Sequence, residues 1–224
     1  MIQLPKSSTS PKSLLFAQFA LVAKSVGHAH RLELLEQLAQ GERSVEVLAD
    51  RVGVSVANAS QHLQQMRRAG LVTTRREGKF VYYRLADDAV LDLLAALRTI
   101  AERNVAEVDR VIRSYFNARD SLEPVSRKEL LERSRVGTVT VLDVRPPDEF
   151  ALGHLPGAVN VPLKELEARL AEFDPEREVV AYCRGPYCVL SYEAVAWLRA
   201  RGLKARRLED GFPEWRAAGL PVAE

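Results

Sequence analysis

The sequence predicts two domains of different class, a small α+β domain followed by an α/β domain with a parallel sheet. Its 224 residues, 47% of them hydrophobic, are enough for two cores of roughly a hundred residues each. Helical patterns in the first half end in a β-hairpin, whereas strands and helices alternate in the second half. The polar stretch ARDSLEP separates the two patterns. We therefore expect domains at 1–118 and 125–224, joined by a linker at 119–124.

The first half carries signals for four helices and a hairpin. Apolar residues at spacings of three and four predict helices in SLLFAQFALVAKSV, with Ser13 as a possible N-cap, and in HAHRLELLEQLAQG. A short helix, a turn at Gly53 and a second helix capped by Ser55 follow. The strands LVTTRREG and KFVYYRL meet at Glu77-Gly78. A helix-turn-helix followed by a basic hairpin is the winged-helix arrangement, in which the second helix enters the major groove of DNA.

Charge favours a polyanion as the partner of this half. Residues 1–118 hold 16 Lys+Arg against 12 Asp+Glu, a net charge of +4, whereas the remainder holds 16 against 18, a net charge of −2. Six cations cluster between the second helix and the end of the hairpin, opposed only by Glu77: Arg67, Arg68, Arg75, Arg76, Lys79 and Arg84. Double-stranded DNA is the expected partner.

The stretch at about 14–95 resembles the ArsR/SmtB family of repressors. The resemblance lies in Ser55, the run Ser60-Gln61-His62-Leu63 and the sequence AGLV at 69–72. It implies an inverted-repeat operator read by a homodimer. Resemblance and charge together predict these DNA-binding residues: Ser55, Asn58, Ser60, Gln61, His62, Arg75, Arg76 and Lys79.

The individual roles of these residues have alternatives. Asn58 and Gln61 are expected to read base edges, and Ser55 and His62 to hold phosphates. Ser55 has a second interpretation as a helix cap only, and His62 as a surface or core histidine with a local partner. The apolar face of a long helix from about Asp87 to Phe116 matches the dimer interface of the family, although it could also pack within its own chain.

Metal sensing of the kinds known in this family is not expected. The segment at 44–50 lacks the cysteines of the thiolate sites, and the helix at 87–116 has no histidine. His28 and His30 form a pair without a third ligand. We expect neither a metal nor a cofactor.

In the second half, the strands TVTVLDVR, REVVAYC and KARRLED alternate with the helices KELEARLAEF and VLSYEAVAWLRARG, which predicts a parallel sheet. Chemistry in such sheets lies beyond the carboxyl ends of the strands, where Cys183 follows REVVAY. The loop after it provides backbone N–H groups, the start of a helix and the charge of Arg184. These features favour the thiolate of Cys183.

Four motifs in this half occur in the order found in rhodanese domains: Asp143-Val144-Arg145, His154-Leu155-Pro156-Gly157-Ala158, Cys183-Arg184-Gly185 and Gly211-Phe212-Pro213-Glu214-Trp215. The resemblance covers about 125–222 and implies a six-residue loop whose Cys183 carries sulfane sulfur as a persulfide. Asp143, Arg145, Glu149 and His154 are expected to be structural, and Trp215 to pack under the loop. The predicted sulfur site consists of Cys183, Arg184 and Cys188, with the loop residues Gly185, Pro186 and Tyr187.

The sequence of the loop differs from those of related families at two positions, and these differences narrow the range of expected sulfur and oxyanion reactions. Cys188 stands where thiosulfate-using relatives often place a cation, which disfavours thiosulfate as the donor. Phosphatases and arsenate reductases of similar fold need an arginine six residues after the cysteine, but Val189 stands there. Cys188 could form a disulfide or a sulfur bridge with Cys183, or only fill space.

The sequence thus predicts a homodimeric, repressor-like regulator that senses sulfane sulfur through Cys183, with small sulfur species as partners. The alternative is a working sulfurtransferase tethered to DNA, without a signal to the DNA-binding half. Since no apolar run reaches 18 residues and the start lacks a cleavage signal, we expect a cytoplasmic protein without a membrane partner.

Overall fold

The computed structural model describes residues 10–118 and 123–224, and the chain divides into two compact units. The first unit ends at Val90 and the second begins at Leu91. Of the predicted linker at 119–124, residues 119–122 lie outside the described residues.

The first unit is the predicted winged helix-turn-helix domain. Its elements are α1 (Pro11–Val26), α2 (Ala29–Ala39), β1 (Arg43–Ser44), α3 (Val45–Val52), α4 (Val56–Arg68), β2 (Val72–Glu77) and β3 (Phe80–Leu85). The strands form an antiparallel sheet in the order β1-β3-β2. Gly53 turns the chain between α3 and α4 in the left-handed region, at φ 72°, where a side chain would be strained.

Side-chain caps fix the starts of these helices. Ser44 caps α3 and Ser55 caps α4, each accepting a backbone N–H three residues later. The cap of α1 is Ser10 rather than the predicted Ser13, whose N–H the Ser10 hydroxyl accepts. Pro11 at the first helical position suits a helix start, because proline has no N–H to leave unpaired there. The core between the helices contains fully buried side chains such as Leu34, Leu35, Leu48, Leu63 and Met66.

The second unit holds the predicted parallel sheet. The helix α5 (Ala89–Asn104) begins two residues before it; then come α6 (Ala106–Val111), α7 (Arg127–Arg135), β4 (Val139–Asp143), α8 (Pro147–Phe150), β5 (Val159–Asn160), β6 (Glu178–Tyr182), α9 (Val189–Arg199), β7 (Ala205–Arg207) and α10 (Phe212–Ala217). Four parallel strands have the order β5-β4-β6-β7.

Alternating side chains of the strands supply two cores, one on each face of the sheet. From β6 and the residue after it, Val179, Ala181 and Cys183 enter a core that is shared with α9. Val180 and Tyr182 enter the second core, shared with α7 and α10. Cys183 therefore continues the buried pattern of a central strand into the loop.

Two sequence expectations differ from the structure. The helix predicted from about Asp87 to Phe116 is interrupted at Val105, which is extended, and it continues as α6 and a π-helical segment at Ile112–Asn117. The Asn104 side chain bonds to the carbonyl of Ile100 and competes with the helical N–H groups there. KELEARLAEF forms two 3₁₀ turns, at Leu163–Glu165 and Leu170–Glu172, and its leucines pack against the core on that side of the sheet.

Candidate functional site

The helix α4 presents a polar outer face and a buried inner face. Asn58 and Gln61 are exposed, whereas Ala59 and Leu63 are fully buried. The Ser55 hydroxyl accepts the backbone N–H of Asn58 at 3.2 Å, which is the hydrogen bond of a helix N-cap. Within the part of the chain that the structure describes, neither the Asn58 nor the Gln61 side-chain amide has a hydrogen-bond partner.

The wing, formed by β2, β3 and their turn, distributes its cations unevenly. Arg75 donates to Glu42 and to Glu77, each at 2.7 Å, and these carboxylates raise its pKa. Arg76 and Lys79 are exposed, and within the described part of the chain neither makes an ion pair. In the described part of the chain, carboxylates thus hold Arg75 but not Arg76 or Lys79, and the Lys79 ammonium lies 5.3 Å from the centroid of the Phe80 ring.

His62 lies in a cluster with His28 and His30. The ring centroids are 4.5 Å apart for His28 and His62 and 5.2 Å for His28 and His30. Burial lowers the pKa of His62, with smaller contributions from His28, Arg31 and His30. The third histidine that the sequence interpretation lacked is therefore supplied by α4.

In the second unit, the two cysteines are joined by a disulfide. Cys183 directly follows β6 and Cys188 precedes α9, and their Cα atoms are 6.1 Å apart. Both are buried. The Cys188 N–H donates to the carbonyl of Gly185 at 3.1 Å, which closes the loop as a turn. The predicted six-residue loop thus brings its two sulfur atoms together.

Gly211 supports the loop from behind. A Cβ atom at Gly211 would overlap the backbone of Arg184 and Gly185, so the chain at 211 can approach the loop only as glycine. Next to it, the Phe212 N–H donates to the Cys183 carbonyl at 3.0 Å. This close backbone packing holds the loop at the end of the sheet.

Buried carboxylates hold the arginines near the loop. Asp143 accepts from the Arg145 side chain at 2.7 Å and from its backbone N–H at 2.9 Å, and both residues are fully buried. Glu149, also fully buried, accepts from Arg184 at 2.8 to 3.1 Å. Although burial lowers the pKa of Arg145, its hydrogen bond with Asp143 raises it, with a smaller contribution from Glu149. The charge of Arg184 is therefore directed at Glu149, beneath the loop.

His154 and Trp215 lie in the framework around the loop. The His154 ring stacks on Phe150, with its Nδ1 3.1 Å from the Phe150 carbonyl. Trp215 donates to the Pro221 carbonyl at 2.7 Å and is buried in the core opposite the one that contains the cysteines. Gly211 packs directly behind the loop, and Trp215 lies in the core that contains Phe212.

Tyr187 ties the loop to α5. Its hydroxyl donates to Glu102 at 2.8 Å, and burial together with this bond raises the pKa of Tyr187. Its ring lies 5.1 Å from that of Phe116. A second tie joins Arg98 of α5 to Glu214, at 3.3 Å. Pro186 and Tyr187 border an open cavity of about 440 Å³.

Comparison with known proteins identifies a matching domain family for each half of the chain. Residues 126–218 match the family model of the rhodanese-like domain, and residues 26–75 match that of a helix-turn-helix domain. An HTH-type transcriptional regulator of Mycobacterium tuberculosis is 44% identical over 213 residues, which cover 95% of this chain and 93% of that protein.

The chain belongs to the HTH-type transcriptional regulators. The predicted fusion of a winged helix-turn-helix domain with a rhodanese-like domain is thereby confirmed. A protein of Allochromatium vinosum named sulfurtransferase is 35% identical over 85 residues, which cover 38% of this chain and 78% of that protein. A solved homodimeric winged helix-turn-helix domain from Mycobacterium bovis is 37% identical, covers 47% of this chain and 94% of that one, and gives a TM-score of 0.41.

The structure of this transcriptional regulator also contains site residues that the sequence analysis did not find. Glu102 and Arg98 were expected only as parts of a dimer helix, and Gly211 only as a motif residue. No local signal marks Glu102, because its partner is 85 residues away. The histidine cluster had a partial signal in the pair His28 and His30. Between residues 10 and 118 and from 123 onward, every helix is too short or too polar to span a bilayer.

Proposed function

We propose that this regulator represses transcription from an operator in double-stranded DNA and that the Cys183 loop controls its affinity through sulfane sulfur. The observation that carries the proposal is the pairing of Cys183 with Cys188 in a loop that is hydrogen-bonded to α5 through Tyr187 and Glu102. The name of the Allochromatium relative supports sulfur chemistry in a rhodanese-like domain.

The DNA side of the proposal rests on exposed groups of the first unit. Asn58 and Gln61 supply base contacts from α4, and Arg76 and Lys79 supply phosphate contacts from the wing. Large apolar side chains of α1 are more than half exposed: Leu14, Leu15, Phe16, Phe19 and Leu21. Such a surface needs a cover, and a second copy of the chain supplies one. A homodimer also matches an inverted-repeat operator.

The sulfur side begins with the reduced loop. The Cys183 thiolate attacks the outer sulfur of a low-molecular-weight persulfide, the bond between the two donor sulfurs breaks, and the donor leaves as a thiolate. Cys183 then carries a persulfide. The Cys188 thiolate attacks the Sγ atom of Cys183, the bond to the outer sulfur breaks, and hydrosulfide leaves. Two thiols are oxidised to the disulfide, and the sulfane sulfur takes up the two electrons.

The signal passes from the loop to α5. Formation or loss of the disulfide changes the loop that contains Tyr187, and the hydroxyl of Tyr187 is bonded to Glu102. The rings of Phe116 and Tyr192, which lie near Tyr187, keep its ring packed. In this proposal Arg184 is a positioning residue, because its guanidinium forms an ion pair with Glu149. A coupling of about 1–3 kcal/mol between sites corresponds to roughly 5- to 150-fold in DNA affinity.

The test compares operator affinity of the reduced full chain with and without polysulfide, on a duplex enriched by in vitro selection against the same protein. The wild type is expected to change its affinity at least about fivefold. Tyr187→Phe keeps the ring but loses the bond to Glu102, so its response should shrink while mass spectrometry still shows that polysulfide converts Cys183 and Cys188 to the disulfide. Tyr115→Phe is the matched control, since it removes a hydroxyl from another ring beside Phe116.

The second candidate is a sulfurtransferase tethered to DNA. It is favoured by the match of residues 126–218 to the rhodanese-like model. In that case Cys183 takes up and releases sulfur, but polysulfide leaves operator affinity unchanged in the wild type and in every variant. That result, with sulfur uptake intact, would reject sensing and retain the enzyme.

A further inference from the structure

Three of the four histidines of the chain converge in the first unit. His28 stands at the N-cap of α2, His30 lies in the first turn of α2, and His62 belongs to α4. One nitrogen from each ring lies within 4.8 Å of the other two. Two segments that are distant in sequence therefore bring three imidazole rings close together.

Among the described residues, one ring nitrogen of the cluster accepts a hydrogen bond and another is buried without a partner. His28 uses Nδ1 to accept the N–H of His30 at 3.2 Å, so its neutral ring carries the proton on Nε2, and binding a metal through either nitrogen requires the loss of this cap bond. Nδ1 of His30 is buried and has no hydrogen-bond partner in the described structure. Buried polar atoms are rarely left unpaired, and histidine is the commonest metal ligand among side chains, so this ring is a candidate ligand.

We propose that His28, His30 and His62 bind a divalent late transition metal ion of the Zn²⁺ or Co²⁺ type. Imidazole nitrogen is a good ligand for these ions, whereas Mg²⁺ and Ca²⁺ prefer oxygen ligands. Nitrogens at about 2.0 Å from a tetrahedral ion lie about 3.3 Å apart, so the three rings need to close by about 1.5 Å or less. Side-chain rotation supplies that movement. Three protein ligands leave at least one position for water.

The proposed ion would join the turn before α2 to the recognition helix α4. It uses none of the cysteines, which are in the second unit. It is therefore independent of the sulfur chemistry, and its test can succeed or fail without affecting the proposed function. It also differs from the thiolate and last-helix sites considered in the sequence analysis, since its ligands come from α2 and α4.

The experiment titrates Co²⁺ into the tag-free, chelator-treated full chain and follows visible absorption. The expected result is one Co²⁺ per chain, displaced by Zn²⁺. His28→Asn removes the imidazole but keeps a good N-cap for α2, and His62→Gln removes the ligand of α4. Each should weaken Co²⁺ binding by more than about 100-fold, since even loss of a supporting contact to a ligand costs about 10- to 100-fold.

Two controls isolate the cluster. His154→Gln removes the remaining histidine and should leave Co²⁺ affinity unchanged. The double variant Cys183→Ser, Cys188→Ser removes the thiols and should also leave it unchanged. Thermal unfolding of each variant verifies that it is folded. The proposal is overturned if the wild type binds neither ion below millimolar concentration, or if folded His28→Asn and His62→Gln retain wild-type affinity.

Discussion

The wing of the first unit and the loop region of the second unit both contain arginines, but they place them differently. In the wing, the side chain of Arg75 is 52% exposed, and Arg76 and Lys79 are exposed as well. Beside the loop, Arg145 and its partner Asp143 are fully buried. Exposed charges attract a polyanion and are screened by salt, whereas buried charges need a partner for the fold to be stable.

This difference predicts how each region responds to substitution. A wing residue is expected to change DNA affinity in proportion to its charge, because each contact with a phosphate releases counterions separately. Substitution of a residue in the loop region is expected to have a large effect on sulfur chemistry or on stability. When a buried side chain is removed, water cannot take its place as the hydrogen-bond partner of its neighbours.

The largest effect is expected for Cys183→Ser. Sulfur uptake should be lost, because a serine hydroxyl is not ionised at neutral pH and is a poor nucleophile. Mass spectrometry of the reduced protein after exposure to a persulfide measures it. Cys188→Ser is the matched control, and it should retain uptake but fail to release hydrosulfide. Equal loss in both variants would show that the nucleophile is wrongly assigned.

Asp143→Ala should destabilise the second unit by about 3–5 kcal/mol, because it leaves the buried guanidinium of Arg145 without its carboxylate. Urea unfolding followed by the fluorescence of the two tryptophans, Trp197 and Trp215, measures the change. Asp174→Ala is the control, since its ion pair with Arg177 is about half exposed and should contribute little. A loss for Asp143→Ala no larger than for Asp174→Ala would contradict the contrast between the regions.

Asn58→Ala and Gln61→Ala should each lower discrimination between operator and random duplex by about 1–3 kcal/mol, the value of a bidentate contact with a base. Both side chains are exposed on α4, so stability should be unaffected. Fluorescence anisotropy with both duplexes gives the ratio of affinities. Glu167→Ala, at an exposed position of the second unit, is a control for loss of a polar side chain. An unchanged ratio would mean that α4 docks in another orientation.

The features that the sequence predicted well depend on neighbours along the chain. The cap Ser55 and the turns at Gly53 and Gly78 act within a few residues, which is why the helix-turn-helix and the hairpin could be predicted. The parallel sheet followed from the alternation of strands and helices. The position of Cys183 followed from the strand that precedes it.

The features that could not be predicted depend on residues distant in sequence. Glu149 pairs with Arg184 across 35 residues, and Arg98 pairs with Glu214 across 116. From the sequence alone, a charged side chain in a helix could pair with any of many opposite charges. Only the folded structure shows which of them it contacts. The meeting of His62 with His28 is of the same kind, because the packing of α2 and α4 determines it. Long-range side-chain pairs therefore had to come from the structure.

The smallest effect is expected within the wing itself. Binding of a protein to DNA weakens with salt, and the logarithmic slope falls by about 0.9 for each phosphate contact that is removed. Arg76→Ala and Lys79→Ala should each reduce the slope by about that amount. Arg75→Ala should reduce it less, because Glu42 and Glu77 already neutralise that guanidinium. Sequence preference should be unchanged in all three variants, since contacts with phosphates carry no information about the bases.

The measurement is operator affinity at several salt concentrations for the wild type and each single variant. Glu42→Gln provides the matched control, because it keeps Arg75 but removes one of its carboxylate partners. That variant should bind DNA more tightly and with a steeper slope than the wild type, since Arg75 becomes available to a phosphate. If Arg75→Ala instead reduced the slope as much as Arg76→Ala does, the carboxylates would not be holding Arg75 away from DNA. The wing would then act as one set of equivalent charges.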